Sequence, residues 1–350
     1  MKVAVYTIAL NEAHFVERWA ESCKDADYRF IFDTGSTDDT VWKAAEHGVE
    51  VWVGSIKPWR FDDARNASLA MLPEDIDYCI ALDMDEVLLP GWRDELELAL
   101  ENGWTRPRYK YVWSWNPDGS EGLTYGGDKI HARHGYRWKH PVHEVITADR
   151  WTETQGWTNL QIHHYPDTAK SRGQYFPLLE LSVQEDPNDD RNAFYFAREL
   201  YFNGLLEKAA AEFKRHLALP RARWAPERAA SLRYLAKCEP DNAIKYLISA
   251  TGEAPEFREP WVDLAYAYYL AADWKRCFSA SSKALAITEK PLVYLNEADA
   301  WSSKPHDLLA ISAFNLGKIE VAVEHGKIAA ELSPEDPRLA KNLEFYTAAL

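Results

Sequence analysis

A buried strand that ends in carboxylates is the feature that most constrains the fold of this chain. Residues 78–82 are mostly apolar, and three of the next four residues, Asp83, Asp85 and Glu86, are acidic. Carboxylates crowded at a strand end repel one another unless a cation lies between them, and oxygen ligands suit Mg²⁺ or Mn²⁺. The spacing of Asp83 and Asp85 is typical of a divalent-metal site, and the simpler alternative is a turn or a helix cap.

Apolar runs alternate with helical patterns through the first half of the chain. Strands are predicted at residues 2–10, 29–32, 49–53 and 78–82, and Asn11 is predicted to cap the helix that follows the first of them. Almost continuous apolar runs are typical of parallel strands that are covered on both faces. An open parallel sheet binds ligands at the carboxyl ends of its strands. The polar residues at those ends therefore predict one shared site.

Four short motifs in this half carry a family resemblance. They are IALNE at residues 8–12, DTGSTD at 33–38, ARN at 64–66 and LDMDE at 82–86. In these motifs and in their order, residues 1–175 resemble the family 2 glycosyltransferases. The resemblance implies the GT-A fold, a Rossmann-like α/β fold with a mostly parallel sheet. It also implies a nucleotide-diphosphate sugar as the donor substrate, with a UDP-sugar favoured.

The same resemblance implies roles for single residues. Leu10 would lie beside the base and Arg65 would line the nucleotide pocket, while Asp83 would approach the ribose and Asp85 would ligate a metal ion, with Asp83 as a further metal ligand. Thr34 stands where the family often has a second aspartate, which puts the usual carboxylate contact to the base in doubt. The donor contacts that the resemblance implies within the four motifs are Leu10, Asn11, Asp33, Thr34, Arg65 and Asp83.

Residues 135–145 resemble the acceptor-side motif of the same family. An inverting transfer needs a base that removes a proton from the acceptor. Glu144 is the candidate, because partial burial shifts the titration of a carboxylate towards neutral pH. A structural Glu–Arg pair is the alternative. His143 would orient Glu144 or bind the metal, and a structural role at the start of a helix is the alternative for this histidine.

A strand with two histidines at its end is predicted at residues 160–166. In GT-A enzymes, which the chain resembles, a late histidine often completes the metal site, and His164 is chosen with His163 as the alternative, since neighbours on a strand face opposite ways. Imidazole suits Mn²⁺ better than Mg²⁺. Lys170 and Arg172 follow, and either would balance the charge of the leaving diphosphate or remain a solvated surface cation.

Small residues recur every 34 residues in the second half of the chain. This spacing is typical of tetratricopeptide repeats, in which paired helices approach closely at small residues. Residues 190–350 therefore resemble a small all-α tetratricopeptide solenoid with an insertion around residues 293–304. Its groove would bind a peptide or pair two subunits as a homodimer, or the solenoid would only buttress the first domain. The three sets are Ala197, Ser231 and Ala265; Ala209, Ala243 and Cys277; and His216, Ala250 and Ala284.

Composition agrees with two domains and limits the partners. The chain has 350 residues, 47% of them apolar, and a net charge of −15. Residues 1–172 carry 19 basic and 29 acidic side chains (−10), and the remainder carry 21 and 26 (−5). Because both halves are acidic, binding to nucleic acid is not expected. Docking on an anionic lipid surface is not expected either, and a local basic patch at residues 106–110 is the alternative.

Targeting signals and paired cysteines are not expected. The opening apolar run carries Asn11 and Glu12 too early for a leader peptide, and no run of eighteen apolar residues predicts a membrane span. The four cysteines form no C-x-x-C pair. Free thiols and a cytoplasmic location are the prediction.

Together these features predict a metal-dependent, inverting hexosyltransferase joined to tetratricopeptide repeats. The acceptor would be a protein, a peptide or a cell-surface saccharide. The alternative is a non-catalytic repeat scaffold whose GT-A domain has lost activity. A sugar nucleotidyltransferase is disfavoured, because residues 11–14 are not a glycine-rich loop with a lysine.

Overall fold

The structure, a computed structural model, describes residues 1–149, 153–167, 173 and 175–350. Backbone contacts divide the chain into two compact units. One unit is Met1–Ser182 with Leu292–Tyr294, and the other is Val183–Pro291 with Leu295–Leu350. Each unit has a buried apolar core of its own and is described by itself.

Strands occur in the first half of the described residues, and helices occur throughout. The strands are β1 Val3–Ala9, β2 Tyr28–Asp33, β3 Glu50–Val53, β4 Tyr78–Ala81, β5 Glu86–Leu88, β6 Arg106–Val112, β7 Thr124–Gly127, β8 Ile130–Ala132, β9 Tyr136–Lys139, β10 Val145–Ala148 and β11 Gln155–His164. The helices are α1 Val16–Ser22, α2 Thr40–Glu46, α3 Phe61–Ala70, α4 Trp92–Glu101, α5 Tyr175–Glu185, α6 Asp190–Phe202, α7 Leu206–Ala218, α8 Ala225–Cys238, α9 Ala243–Glu253, α10 Arg258–Leu270, α11 Trp274–Ala286, α12 Lys304–Asn315, α13 Ile319–Leu332 and α14 Pro337–Thr347.

The first sheet has five strands in the order β3-β2-β1-β4-β8. The first four are parallel to their neighbours, as predicted, and β8 pairs antiparallel with β4, which makes the sheet mixed. On β1, Val3 and Val5 join one buried cluster, whereas Ala4 and Tyr6 join another. Burial of both faces explains the continuous apolar run in the sequence of this strand.

The second sheet has four strands in the order β5-β11-β6-β7. Strand β11 is parallel to β6 and antiparallel to β5, and it begins five residues before the strand predicted at 160–166. In the β5–β11 register, His164 lies opposite Glu86. This pairing brings the end of β11 to the acidic residues that follow β4.

The loop after β1 departs from the prediction for Asn11. Helix α1 begins only at Val16, and no side chain caps it. Asn11 has a left-handed backbone with φ of 57°, a conformation that asparagine tolerates better than most residues. The prediction that Asn11 caps a helix is therefore wrong, because this residue turns the chain towards the loop after β2.

The second unit is a solenoid of helix pairs. Helices α6 and α7, α8 and α9, α10 and α11, and α12 and α13 pack in pairs, and α14 packs on α13. Eight of the nine small or repeat-phased residues singled out by the 34-residue spacing are buried, and Ala243 is partly buried. Small side chains at these positions let the helices approach closely. The helical repeat predicted for the second half is confirmed at this level.

The turns inside the helix pairs explain two glycines of the sequence. Gly204 lies between α6 and α7, and Gly317 lies between α12 and α13, both with φ of 73°. A left-handed residue after a helix is most easily a glycine. The predicted insertion lies between α11 and α12, where the chain has little regular structure.

Within the part of the chain that the structure describes, no helix has both the length and the apolar character needed to cross a lipid bilayer. The four cysteines have free thiols, and three of them are buried.

Acid is expected to destabilise the first unit through His131. This imidazole is fully buried, with Nε2 3.0 Å from the Tyr6 hydroxyl and Nδ1 2.8 Å from the Ala132 carbonyl oxygen. Burial lowers the pKa of His131 to about 4. As pH falls from about 6.5, the unfolded chain binds this proton before the folded chain does, so stability falls until the pH reaches the folded pKa.

The measurement is urea unfolding of the full chain at pH 7.5 and pH 5. We expect His131→Gln to reduce the loss of stability between these pH values by about 1–2 kcal/mol relative to the wild type. His14→Gln is the matched control, because the His14 side chain is 56% exposed. An unchanged pH dependence in His131→Gln would contradict the assignment.

Candidate active site at the strand ends

Side-chain hydrogen bonds connect the loop after β1 to the loop after β2. The Asn11 amide N–H donates to Ser36 Oγ, and Asn11 Oδ1 accepts from the Thr37 amide, both at 2.8 Å. The buried Asp33 carboxylate accepts from the amides of Gly35 and Ser36 at 3.0 and 2.8 Å and from the Ser36 hydroxyl. Asp33 and Asn11 therefore shape the rim of the site.

Two further residues predicted at this rim have different surroundings. Thr34 donates from Oγ1 to the Ala9 carbonyl oxygen at 3.0 Å. Leu10 is 50% exposed. The Leu10 side chain thus offers apolar surface to solvent at the carboxyl end of β1.

Arg65 joins two of the predicted carboxylates at the centre of the site. Its Nη2 lies 2.7 Å from Asp83 Oδ1, and its Nε lies 2.5 Å from Glu144 Oε1. The Arg65 guanidinium also lies 4.9 Å from the ring centroid of Trp138, and the residue is only 5% exposed. Arg65 comes from α3 and Glu144 from the turn before β10, so the ion pair fixes both elements relative to β4.

Lys129 lies at the centre of the acidic cluster, and no sequence motif predicted its place there. Its ammonium lies 2.6 Å from Asp83 Oδ2 and 3.0 Å from Glu86 Oε1. Glu86 is 1% exposed, accepts from the Tyr111 hydroxyl at 2.6 Å and accepts from the Asp83 amide at 2.8 Å. A buried carboxylate next to two aspartates requires a cation, but only the antiparallel pairing of β8 with β4 identifies Lys129 as that cation.

The charges in this cluster move the pKa values of its carboxyl groups in opposite directions. Burial raises the pKa of Asp83, but the charges of Arg65 and Lys129 outweigh burial and hold it well below its ordinary value. For Glu86, burial and the neighbouring aspartates outweigh Lys129, so its pKa is raised. Asp83 is therefore ionised at neutral pH and forms ion pairs with two cations.

Asp85 and His164 form a second polar pair. Asp85 Oδ2 lies 3.2 Å from His164 Nε2, while His164 Nδ1 lies 2.9 Å from the Trp113 carbonyl oxygen. The imidazole stacks on the Trp113 indole with ring centroids 4.3 Å apart. Burial lowers the pKa of His164, but the hydrogen bond and charge of Asp85 outweigh burial, so the pKa is raised. His164 therefore directs Nε2 at Asp85.

The alternative histidines lie apart from this pair. His163 Nδ1 is 3.5 Å from the Tyr165 hydroxyl, and its ring meets Trp115 edge-on with centroids 4.9 Å apart. His143 lies in a turn with φ of 50°, whereas the start of a helix was predicted, and its ring contacts Tyr175. Strand alternation separates His163 from His164, as the choice between them assumed.

The predicted diphosphate contacts and the predicted three-ligand metal site are not seen among the described residues. Lys170 and Arg172 lie outside the described residues, so their predicted contact with a diphosphate stays a prediction. Among the described residues, no group of three or more His, Cys, Asp or Glu side chains is arranged to hold a metal ion. Asp85 contacts His164, whereas Asp83 contacts Arg65 and Lys129.

The basic stretch at residues 106–110 is neutralised by acidic neighbours. Arg106 pairs with Asp128 at 3.0 Å and with Glu153 at 3.3 Å. Lys110 pairs with Glu121 at 2.6 Å. These ion pairs leave little excess positive charge for an anionic polymer or a lipid surface.

No family model matches this chain, and no curated protein matches it. Among solved structures, MamA from Desulfovibrio magneticus RS-1 is 19% identical, with 47% of this chain and 86% of that chain covered and a TM-score of 0.38. A thermophilic TPR protein of Thermus thermophilus is 18% identical, with 50% and 88% covered and a TM-score of 0.33.

A third solved structure is a glucosyl-3-phosphoglycerate synthase from Mycobacterium tuberculosis in complex with Mn²⁺, UDP and glucosyl-3-phosphoglycerate. It is 25% identical over 31% of this chain and 44% of that chain, with a TM-score of 0.27. All three TM-scores are below 0.5, a level at which a likeness does not establish a shared fold.

Proposed function

We propose that the first unit is a GT-A glycosyltransferase of family 2 type. It would move a sugar from a nucleotide-diphosphate sugar, with a UDP-sugar favoured, to a protein, peptide or cell-surface saccharide with inversion at the anomeric carbon. The observation that carries the proposal is the contact of Asp85 with His164, 3.2 Å apart, two residues along the chain from Asp83, which Arg65 joins to Glu144. These residues come from four separate segments of the chain, and the family resemblance assigns a role to each of them.

The Asp85–His164 pair fits a divalent ion. Because His164 Nδ1–H donates a hydrogen bond to the Trp113 carbonyl oxygen, Nε2 of the neutral imidazole presents its lone pair to the Asp85 oxygen. Two lone pairs that face each other favour a cation or a proton between them, and an oxygen with an imidazole nitrogen suits Mn²⁺. A bound ion would supply positive charge to the leaving diphosphate.

The other residues would then act directly on the substrates. Asp83, already bound to Arg65 and Lys129, is proposed to face the ribose rather than to carry the main share of metal binding. Leu10, Asn11, Asp33 and Thr34 would shape the base site. Lys170 stays a proposed contact of the diphosphate.

Glu144 is proposed as the base that removes a proton from the acceptor. Its side chain is 11% exposed and lies against Arg65, which fixes the position of the carboxylate. A base in a one-step displacement must be held in place before the acceptor attacks. The same ion pair is also what a purely structural Glu144 would make, so the role is tested by mutation.

Metal-dependent binding of a nucleotide sugar is expected to raise the melting temperature of the protein. At a ligand concentration about a hundred times the dissociation constant, the stabilisation is about 2.7 kcal/mol. We expect a rise with UDP-sugars and Mn²⁺ that disappears with EDTA and in Asp85→Asn. Asp94→Asn, on α4 away from the strand ends, is the control that keeps the rise. The absence of a rise with every donor in a folded wild-type protein would overturn the proposal.

A second candidate is a non-catalytic scaffold in which the first unit has lost turnover. It is favoured by the two cations that already neutralise Asp83 and by the lack of a three-ligand metal cluster among the described residues. Slow hydrolysis of the donor without acceptor separates the two candidates, since many glycosyltransferases transfer the sugar slowly to water and a scaffold does not.

A further inference from the structure

The insertion between α11 and α12 lies against the first helices of the solenoid pairs. Helices α6, α8, α10 and α12 contact one another in that order and so form one layer. Residues 295–303 of the insertion belong to the same compact unit as these helices. Their contacts with α8 and α10 concentrate on three charged side chains: Arg233, Arg258 and Glu259.

Glu297 provides the first anchor of this segment. Its Oε2 accepts from Arg233 Nη2 at 2.8 Å, and its amide donates to Glu259 Oε1 at 3.2 Å. Arg233 is 5% exposed and also pairs with Asp263 at 2.7 Å. The segment thus supplies a carboxylate to a guanidinium that is buried on the helix layer.

Trp301 provides the second anchor. Its indole N–H donates to Glu259 Oε1 at 2.8 Å, and the guanidinium carbon of Arg258 lies 3.9 Å from its ring centroid. Ala300, the preceding residue, is 3% exposed and packs in the core of the solenoid. Leu295 lines a small cavity together with residues of α8 and α10.

The buried carboxylate of Glu259 depends on this segment for its hydrogen bonds. Glu259 is 2% exposed, and both hydrogen bonds described for its Oε1 come from the segment. Its Oε2 has no hydrogen-bond partner among the described residues. A buried carboxylate without hydrogen-bond donors is costly, so Glu259 requires donors such as the amide and the indole of the segment. Arg233, already paired with Asp263, gains a second carboxylate from Glu297.

We propose that this face of α8 and α10 is a peptide-binding site for a segment that presents a carboxylate and an indole four residues apart. Residues 295–303 occupy the site in cis. A tethered segment acts at an effective concentration of the order of millimolar. If the sequence of the segment binds with a dissociation constant of the order of micromolar, the tethered copy weakens the binding of a free peptide by a factor of about 100 or more. This proposal does not rest on the proposed sugar transfer, and the expected ligands are peptides with these two groups.

The test uses a fluorescent peptide with the sequence LNEADAWSS, which is that of residues 295–303. It is titrated with the full wild-type chain and with Glu297→Ala/Trp301→Ala, in which the tethered segment has lost both anchors. We expect the double variant to bind the peptide at least 10-fold more tightly than the wild type does. A control peptide with alanine in place of its glutamate and tryptophan is expected to bind neither protein.

Two results would overturn the proposal. Equal affinity of the peptide for the wild type and the double variant would mean that the tethered segment does not occupy the site. No binding by a double variant that is folded by circular dichroism would mean that the site does not recognise this chemistry. If the double variant does not fold, Glu297→Gln replaces it, because this change removes only the charge that pairs with Arg233.

Discussion

Replacing Arg65 with methionine is expected to destabilise the first unit by about 3–5 kcal/mol, the usual effect of removing one partner from a buried ion pair. The substitution leaves Glu144 without its guanidinium partner and leaves Asp83 with Lys129 alone. A methionine of similar length fills the space over Trp138 but cannot neutralise either carboxylate. The measurement is urea unfolding at neutral pH, followed by tryptophan fluorescence.

The matched control is Arg137→Met. Arg137 pairs with Asp149 at 3.2 Å, but both side chains are about half exposed, so its loss is expected to cost less than about 1 kcal/mol. Arg65→Lys keeps the charge but not the two-pronged contact, and an intermediate effect is expected. If Arg65→Met and Arg137→Met had equal stability, the bridging role of Arg65 would be refuted.

Glu144→Gln is expected to have the largest effect on chemistry. If Glu144 is the base, the rate of donor hydrolysis falls by about 10²–10⁴-fold, the usual contribution of a general base. Glutamine keeps the shape of the side chain and an oxygen that accepts from Arg65. The measurement is the release of nucleotide diphosphate from the donor in the presence of Mn²⁺, expressed per folded molecule.

A melting curve of each variant separates the two roles of Glu144. If Glu144 is only structural, Glu144→Gln lowers the melting temperature but leaves the hydrolysis rate per folded molecule within about 3-fold of the wild-type rate. This change is far smaller than the loss expected of a base. Glu121→Gln is the control, because Glu121 is 38% exposed and pairs with Lys110. Loss of the donor-induced rise in melting temperature in Glu144→Gln would instead assign this residue to donor binding.

The elements that the sequence predicted well are those with a strong local pattern. Strands β1, β2 and β4 are apolar on both faces, and the helix pairs repeat small residues at a fixed spacing, so each prediction needed only neighbouring residues. Asp83, at the end of β4, also lies beside Arg65 of α3. Their roles in substrate binding are proposals that the experiments above test.

The features that the sequence did not predict depend on long-range pairing. Lys129 reaches Asp83 because β8 joins the edge of the first sheet antiparallel to β4, and no short pattern around residue 129 indicates this pairing. Asn11 was misassigned as a cap, because a left-handed turn and a helix cap favour the same residue type. The contacts of Glu297 and Trp301 likewise depend on helices far away in the chain.

The pairing of Lys129 with Asp83 and Glu86 has a consequence for the way an anionic donor would be captured. Within this cluster, two cations nearly balance three carboxylates, whereas the whole chain has a net charge of −15. The long-range field would therefore repel a nucleotide sugar, and for such a donor only contacts inside the site would be attractive. Because salt screens charges beyond about 8 Å at physiological ionic strength, moderate salt should speed donor association, the reverse of its effect on electrostatically steered binding.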